Sequence, residues 1–379
     1  MELPNFLGRL VQQRDAQMRS IWVRLHIDLP LLIGLLLLIL YGFLVLYSAS
    51  DQSWGVVSKQ FSRFLLGLLL MFVAAQIPPE KYRVWIPGIY LFGLILLVLV
   101  LIIGHTGKGA QRWLNLGFFR FQPSEIMKIA VPIMVAWYLG AKTLPPRITP
   151  LLVSTFSIIV PAGLIAKQPD LGTALMIVAG GVSVILFTGI RLRWFVLLGA
   201  IVAAITPIAW LFMHAYQRSR VLTFLNPDRD PLGAGYHIIQ SKIAIGSGGF
   251  FGKGWFNGTQ SHLDFLPEHA TDFIFSVIGE EFGFFGAFIL LALYIFIIGR
   301  CLYIASNAYN SFTRLLAGSL ALTFFFSIFV NIGMVSGILP VVGMPLPLIS
   351  YGGTAVVTVM MAFGILMSIQ THRHIIKAY

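Results

Sequence analysis

The chain has 379 residues, of which 58% are apolar and only 11% charged, with a formal net charge of +12 at pH 7. About a quarter of a soluble domain is charged, so this composition excludes a soluble globular protein, and the excess of Lys and Arg reads as membrane topology and lipid attraction, not as a nucleic-acid footprint. One cysteine, Cys301, excludes an intrachain disulfide.

In chain order, residues 1–28 come first. Leu7, Leu10, Val11, Met18, Ile21, Trp22 and Leu25 recur at helical spacing among Arg9, Arg14, Arg19 and Arg24. That pattern predicts an amphipathic segment lying on the membrane surface. The first apolar run is then too long for a cleavable signal. Apolar runs fall near 29–47, 56–77, 84–103, 123–140, 150–166, 171–190, 194–213, 272–299, 315–339 and 352–370. Each approaches or exceeds the length that crosses about 30 Å of hydrocarbon as a helix. The expected fold class is therefore an all-α polytopic membrane protein with about ten transmembrane helices. Helices 1–7 occupy 29–213, a large outer loop with short amphipathic helices occupies 214–271, helices 8–10 occupy 272–370, and a tail occupies 371–379. Lys81, Arg83, Lys142, Arg147, Arg191, Arg193, Arg300, Arg314, Arg373 and Lys377 share one side with the basic N-terminal tail. The positive-inside rule makes that side the cytoplasm, with both termini there.

Polar residues then gather at the opposite, outer side. The stretch LPEHATDFIFSVIGEEFGF, 266–284, places Asp272 at the start of the eighth run, with Glu280 and Glu281 about 12–13 Å deeper along a helix. Helix capping accounts for Asp272 alone. It does not account for carboxylates at depth, which face a cavity or a partner. The eight-residue step from Asp272 to Glu280 turns a helix by about 80°, so both are expected to border one cleft, with Thr271 beside them. In FQPSEIMKI, 121–129, Pro123 and Ser124 start a helix after Gln122, and Glu125 and Lys128 share a face at i and i+3. The loop before them adds Arg112 and Arg120, positive charge that runs against the topology and invites an anionic ligand. KQPDLGTA, 167–174, sets Gln168 and Asp170 at the start of the sixth run. GMPLPLISYGGT, 343–354, breaks the tenth at its outer edge beside Ser350, Tyr351 and Thr354. Arg218 and Arg220 open the long loop, and Gln240 and Lys242 lie in its amphipathic part.

These clusters describe an outer-face site for a substrate with an anionic head and a lipid tail: phosphate calls for Arg and Lys, and transfer to a hydroxyl calls for a carboxylate base. Three classes fit that description: an enzyme acting on a lipid-linked substrate, a lipid or solute transporter, and an assembly scaffold whose polar groups hold helices together.

The same segments, with RVLTFLNPDRDPLGAGYHIIQSKIAIGSGG and GKGW, resemble the signature segments of the SEDS family (shape, elongation, division and sporulation), and within it the rod-shape branch. The resemblance runs from about residue 25 to 375. It implies a ten-helix peptidoglycan glycosyltransferase of the bacterial inner membrane. Such an enzyme polymerises lipid II at the outer leaflet, working with a class B penicillin-binding protein transpeptidase and elongation-complex proteins among membrane lipids; no nucleic acid is implied. The family's essential outer-loop aspartate falls on Asp272, and its Glu and Lys fall on Glu125 and Lys128. The family's histidine next to that aspartate is displaced to His269, and Ala355 stands where Ser is common. On this resemblance Asp272 is expected to act as general base and Glu125 and Lys128 to bind substrate; the polar clusters read above add Arg112, Gln122, Asp170, Arg220, Gln240, Lys242, Thr271, Glu280, Ser350 and Tyr351 as expected substrate-binding residues. The resemblance makes no cofactor certain; a divalent cation such as magnesium is the candidate, sharing with the basic residues the neutralisation of the pyrophosphate. Lipid II translocation is the alternative activity, and a non-catalytic scaffold the third.

Overall fold

The computed structural model describes residues 25–107, 110–115, 120–191, 234–262 and 268–376, with scattered positions between 193 and 223. Residues 1–24 of the amphipathic N-terminal segment, most of the seventh expected span, Arg220 and the last three residues lie outside the described residues.

The chain begins with three long helices, α1 (Leu29–Ala49), α2 (Trp54–Gln76) and α3 (Pro79–Ile103). Asp28 caps α1, its Oδ1 accepting from Leu31 N at 3.0 Å, and Pro30 sits in the first turn, where a missing N–H costs nothing. An antiparallel ribbon follows, β1 (His105–Gly107), β2 (Ala110–Asn115) and β3 (Arg120–Phe121), in the order β1-β2-β3. The sequence pattern gave only a loop there. Then come α4 (Pro123–Gly140), α5 (Ile148–Lys167) and α6 (Leu171–Phe187). In the outer loop lie α7 (Ala234–Ser247) and the short α8 (Thr259–His262), and the chain closes with α9 (Ile274–Glu281), α10 (Gly283–Ser306), α11 (Ser311–Val335) and α12 (Thr354–Ile376).

The protein is a predominantly helical, polytopic membrane protein. Among the described residues, seven helices are long and apolar enough to cross a membrane: α1, α2, α3, α5, α10, α11 and α12. α6 is apolar but has 17 residues, and α4 carries Glu125 and Lys128 in its first two turns. The tenth element of the expected count is the seventh span, outside the described residues. Leu, Ile and Phe side chains on α1, α2, α3 and α10 point outward; Leu40, for example, is 67% exposed and Ile295 69%. An exterior of this kind is stable only in lipid. Inside, small residues bring backbones together as expected where no hydrophobic force acts between helices. A Cβ on Gly364 of α12 would lie 2.3 Å from Met71 O of α2, so only glycine permits that crossing.

The structure corrects the eighth run. It is not one helix of 272–299: the chain breaks between α9 and α10 at Gly283, whose φ is +64°. The break frees backbone groups at membrane depth, which must find partners inside the protein. The glycine-rich segment 249–254 supplies them. Lys253 N and Gly254 N donate to Glu280 O and Glu281 O at 2.9 and 3.0 Å, and Phe284 N and Phe285 N donate to Gly249 O and Phe250 O at 2.9 and 3.0 Å. A glycine-rich stretch of the outer loop is thus the complement of a broken helix.

Candidate active site

The site is built where α4, α6, α12 and the segment before α12 meet β2. Gln122 precedes α4, and Pro123 starts it, so Glu125 falls in the first turn and Lys128 one turn later on the same face. Lys128 Nζ donates to Glu125 Oε1 at 2.6 Å. Glu125 is 6% exposed, and its Oε2 has no hydrogen-bond partner. A buried carboxylate with one lone oxygen is unsatisfied until a ligand or water reaches it.

Asp170 caps α6, its Oδ1 accepting from Thr173 N at 3.3 Å. Its Oδ2 accepts from Gln122 Nε2 at 3.0 Å and stands 3.8 Å from Arg112 Nε. Arg112 also donates to Pro169 O. The ribbon thus earns its place: β2 lowers Arg112 onto the cap of α6. Gln168 turns away and donates to Leu97 O at 2.9 Å, a helix-to-helix tie.

These charges line the polar end of a cavity of about 310 Å³. Its deeper wall is apolar, with Leu320, Phe324, Phe363 and Leu366. One side is formed by the non-helical segment from Gly343 to Gly353, which turns at 347–349, and by Thr354 at the start of α12. An ion pair, a guanidinium and an apolar floor share one space, a chemistry that suits an anionic head joined to a hydrocarbon tail.

Asp272 stands at the edge of this wall. It precedes α9 rather than lying in it, within a turn closed by Thr271 N and Phe273 N donating to Glu268 O at 3.0 and 3.3 Å. Tyr351 N donates to Ala270 O at 2.9 Å, Ser350 Oγ donates to Thr271 O, and Asn331 Nδ2 donates to Asp272 O at 2.9 Å. The His237 ring stacks on Phe273 with centroids 5.8 Å apart. A Cβ on Gly343, which lines the cavity, would stand 3.5 Å from Asp272 Oδ2.

Arg112, Gln122, Glu125, Lys128, Asp170 and Ser350 therefore line one cavity, with Asp272 at its rim. Other expected ligands go elsewhere. Glu280 is fully buried, and its Oε1 accepts from Lys253 Nζ at 2.7 Å, Thr259 N at 2.8 Å and Gln260 N at 3.1 Å. The shared-cleft expectation assumed one helix through both residues, and Asp272 lies outside α9. Glu281 Oε1 accepts from Ser48 Oγ at 2.6 Å. Ser350 reaches the wall but has both roles used, accepting from Leu346 N at 2.8 Å while it donates to Thr271 O. Tyr351 lies under the Arg63 guanidinium, 4.4 Å from ring centroid to Cζ. Lys242 is exposed and lies over the backbone of Gly337. Gln240 is half-buried on α7, and neither it nor Thr271 lines the cavity. Sequence reasoning missed Gln60, whose Nε2 donates to Ser350 O at 3.3 Å and whose Oε1 accepts from Gly352 N at 3.3 Å. It also missed Asn331; a single Asn inside FFFSIFVNIGMV was the signal available.

The model of the FtsW, RodA and SpoVE cell cycle proteins matches residues 26–375. The chain belongs to this FtsW/RodA/SpoVE family. Among its relatives in the family is the peptidoglycan glycosyltransferase MrdB of Escherichia coli K12, 52% identical over 95% of this chain and 97% of that protein. The probable peptidoglycan glycosyltransferase FtsW of Trichlorobacter lovleyi is 38% identical over 90% and 92%. Solved structures agree. A chain from a peptidoglycan synthase complex that coordinates polymerization and crosslinking has TM-score 0.81 and 32% identity, covering 92% of this chain and 98% of that one. The Thermus thermophilus rod shape determining protein RodA has TM-score 0.69 and 27% identity, covering 91% and 96%.

Proposed function

We propose that this chain is a peptidoglycan glycosyltransferase that polymerises lipid II at the outer leaflet of the bacterial cytoplasmic membrane during cell elongation. One observation carries the reading. A turn bearing Asp272 is fastened to the wall of a cavity whose polar end holds Arg112, Lys128, Glu125 and Asp170. That arrangement supplies cations for a pyrophosphate within the cavity and a carboxylate for a hydroxyl beside its Gly343 wall.

In this reading the Asp272 carboxylate takes the proton of the acceptor sugar 4-hydroxyl. The oxygen attacks C1 of the donor sugar and inverts it, and the C1–O bond to the lipid pyrophosphate breaks. Lys128 and Arg112 neutralise the leaving pyrophosphate, Glu125 orients Lys128, and the apolar floor takes the first part of the lipid. Among the described residues no three His, Cys, Asp or Glu side chains form a metal cluster. Magnesium commonly rides on phosphate oxygens with one or two carboxylates, and Glu125 Oε2 is the free carboxylate oxygen here that suits such an ion. The partner is a class B penicillin-binding protein transpeptidase, in keeping with the synthase complex to which this chain is similar.

The test uses purified chain with its transpeptidase partner and measures glycan chains from lipid II. Asp272→Asn is expected to lower the rate by about 10²–10⁴. A normal rate removes Asp272 from the chemistry. Labelled lipid II crossing vesicles without glycan formation would instead make the protein a translocator.

A further inference from the structure

Asn331 lies within α11, fully buried among Phe, Ile and Val side chains. A carboxamide moved from water into apolar surroundings costs about 2–7 kcal/mol unless it is hydrogen-bonded. Asn331 is bonded on one side only. Its Nδ2 donates to Asp272 O at 2.9 Å and to Met344 O at 2.6 Å. Both partners are carbonyls, so the amide nitrogen must face them. Its Oδ1 is buried with no hydrogen-bond partner. The fold therefore tolerates an unsatisfied acceptor in order to keep two donors in place.

The two carbonyls belong to the two halves of the site. Asp272 ends the turn that carries the carboxylate. Met344 lies in the wall of the cavity, next to Gly343, whose α-carbon faces Asp272 Oδ2. These segments lie far apart in sequence, and α11 is the rigid element between them. Ser350 and Tyr351 hold the two residues before Asp272; Asn331 reaches the main chain of Asp272 itself.

We propose that Asn331 is a positioning residue: its two N–H donors fix the backbone of Asp272 against the cavity wall, and so set where the carboxylate meets the acceptor hydroxyl. This rests on the reading of Asp272 as the base. A displacement of about 1 Å in a reacting group can lower a rate by about 10²-fold, which sets the size of the effect.

Three variants test it in the purified complex with the transpeptidase. Asn331→Asp keeps the shape but faces two carbonyls with carboxylate oxygens. Asn331→Ala removes both donors, and Asn331→Ser keeps one short donor. The expected result is kcat lowered about 10- to 100-fold in Asn331→Asp and Asn331→Ala, less in Asn331→Ser, with KM for lipid II within about twofold of wild type. The acid limb of the kcat–pH profile, which reports the base, is expected to move in these variants; a loss of folded protein would scale the profile without moving it. Melting and partner binding are recorded for each. Folded variants with wild-type kcat and an unmoved limb overturn the proposal, as does failure of all three to fold, since a positioning role leaves the fold standing. Asp272→Asn, run alongside, separates the two readings. If it is inactive while Asn331→Ala is normal, only the positioning role fails. If it is active, the base assignment fails first.

Discussion

Lys128 and Glu125 show how a side chain's meaning depends on its partner. Spaced i and i+3 at the start of α4, they are an ordinary ion pair on any helix. Here Glu125 is buried and Lys128 only 22% exposed. Removing one member of a buried pair leaves an uncompensated charge and costs about 3–5 kcal/mol. Lys128→Met is therefore expected to lower the melting temperature clearly and to abolish polymerisation. Adding Glu125→Gln is expected to restore the melt but not the activity, and that separation would assign the Glu125–Lys128 pair to the chemistry rather than to the fold. Gly343 is the second test at this scale. Its φ of +71° suits glycine, and a methyl there would stand against Asp272 Oδ2 at 3.5 Å. Gly343→Ala is expected to lose more than tenfold in kcat, from strain of about 1–3 kcal/mol and from the methyl itself; an unchanged rate would place the reaction elsewhere.

Among elements, the break between α9 and α10 is decisive. Glu280 and Glu281 lie at its end, and they hold the outer loop: Glu280 gathers Lys253, Thr259 and Gln260, while Glu281 takes Ser48 from α1. Gly283 permits the approach, since a Cβ there would lie 2.3 Å from Gly252 N. Gly283→Ala is expected to loosen the loop, read as faster proteolysis between 248 and 262 and a lower melt, with the α1–α6 core intact. At the opposite end of the bundle, Arg300 donates from Nε and Nη2 to both oxygens of Asp28 at 3.0 and 2.6 Å, tying α10 to the cap of α1. Arg300→Met would leave Asp28 buried without its cation, and an unfolding free energy lowered by about 3–5 kcal/mol is the expected outcome.

For the whole molecule, the segment before the first helix meets the last helix. His26, just before α1, stacks on His372 of α12 with ring centroids 4.0 Å apart and 5° between planes, and its Nδ1 lies 3.1 Å from Thr371 Oγ1. Burial first, and the neighbouring His372 charge second, hold the His26 imidazole below the usual histidine value of 6.5. Folding thus favours the neutral ring. Its contribution is complete above about pH 6.5 and is lost as pH falls from there through the depressed value. Melts are expected to fall between pH 7.5 and 5.5, and His26→Gln is expected to reduce that difference; a pH-independent wild-type melt would show that the stack carries no such linkage.

The sequence by itself determined that this protein lives in lipid, because runs of Leu, Ile and Phe leave no other solvent, and it singled out Gln122, Glu125, Lys128 and Asp170 as candidates, because polar residues beside helix starts stand out against apolar runs; that they line one cavity is a fact of the tertiary structure. It determined Asp272 only as a residue of interest. The tertiary structure decided the rest. It moved Glu280 from the site to the loop, because a helical wheel assumes an unbroken helix and Gly283 ends one. It lowered Arg112 onto α6 through a ribbon that a few polar residues do not announce. It gave Asn331 two partners, because one amide in an apolar run cannot say which distant carbonyls it will find; that is fixed only when packed helices bring them within hydrogen-bonding distance.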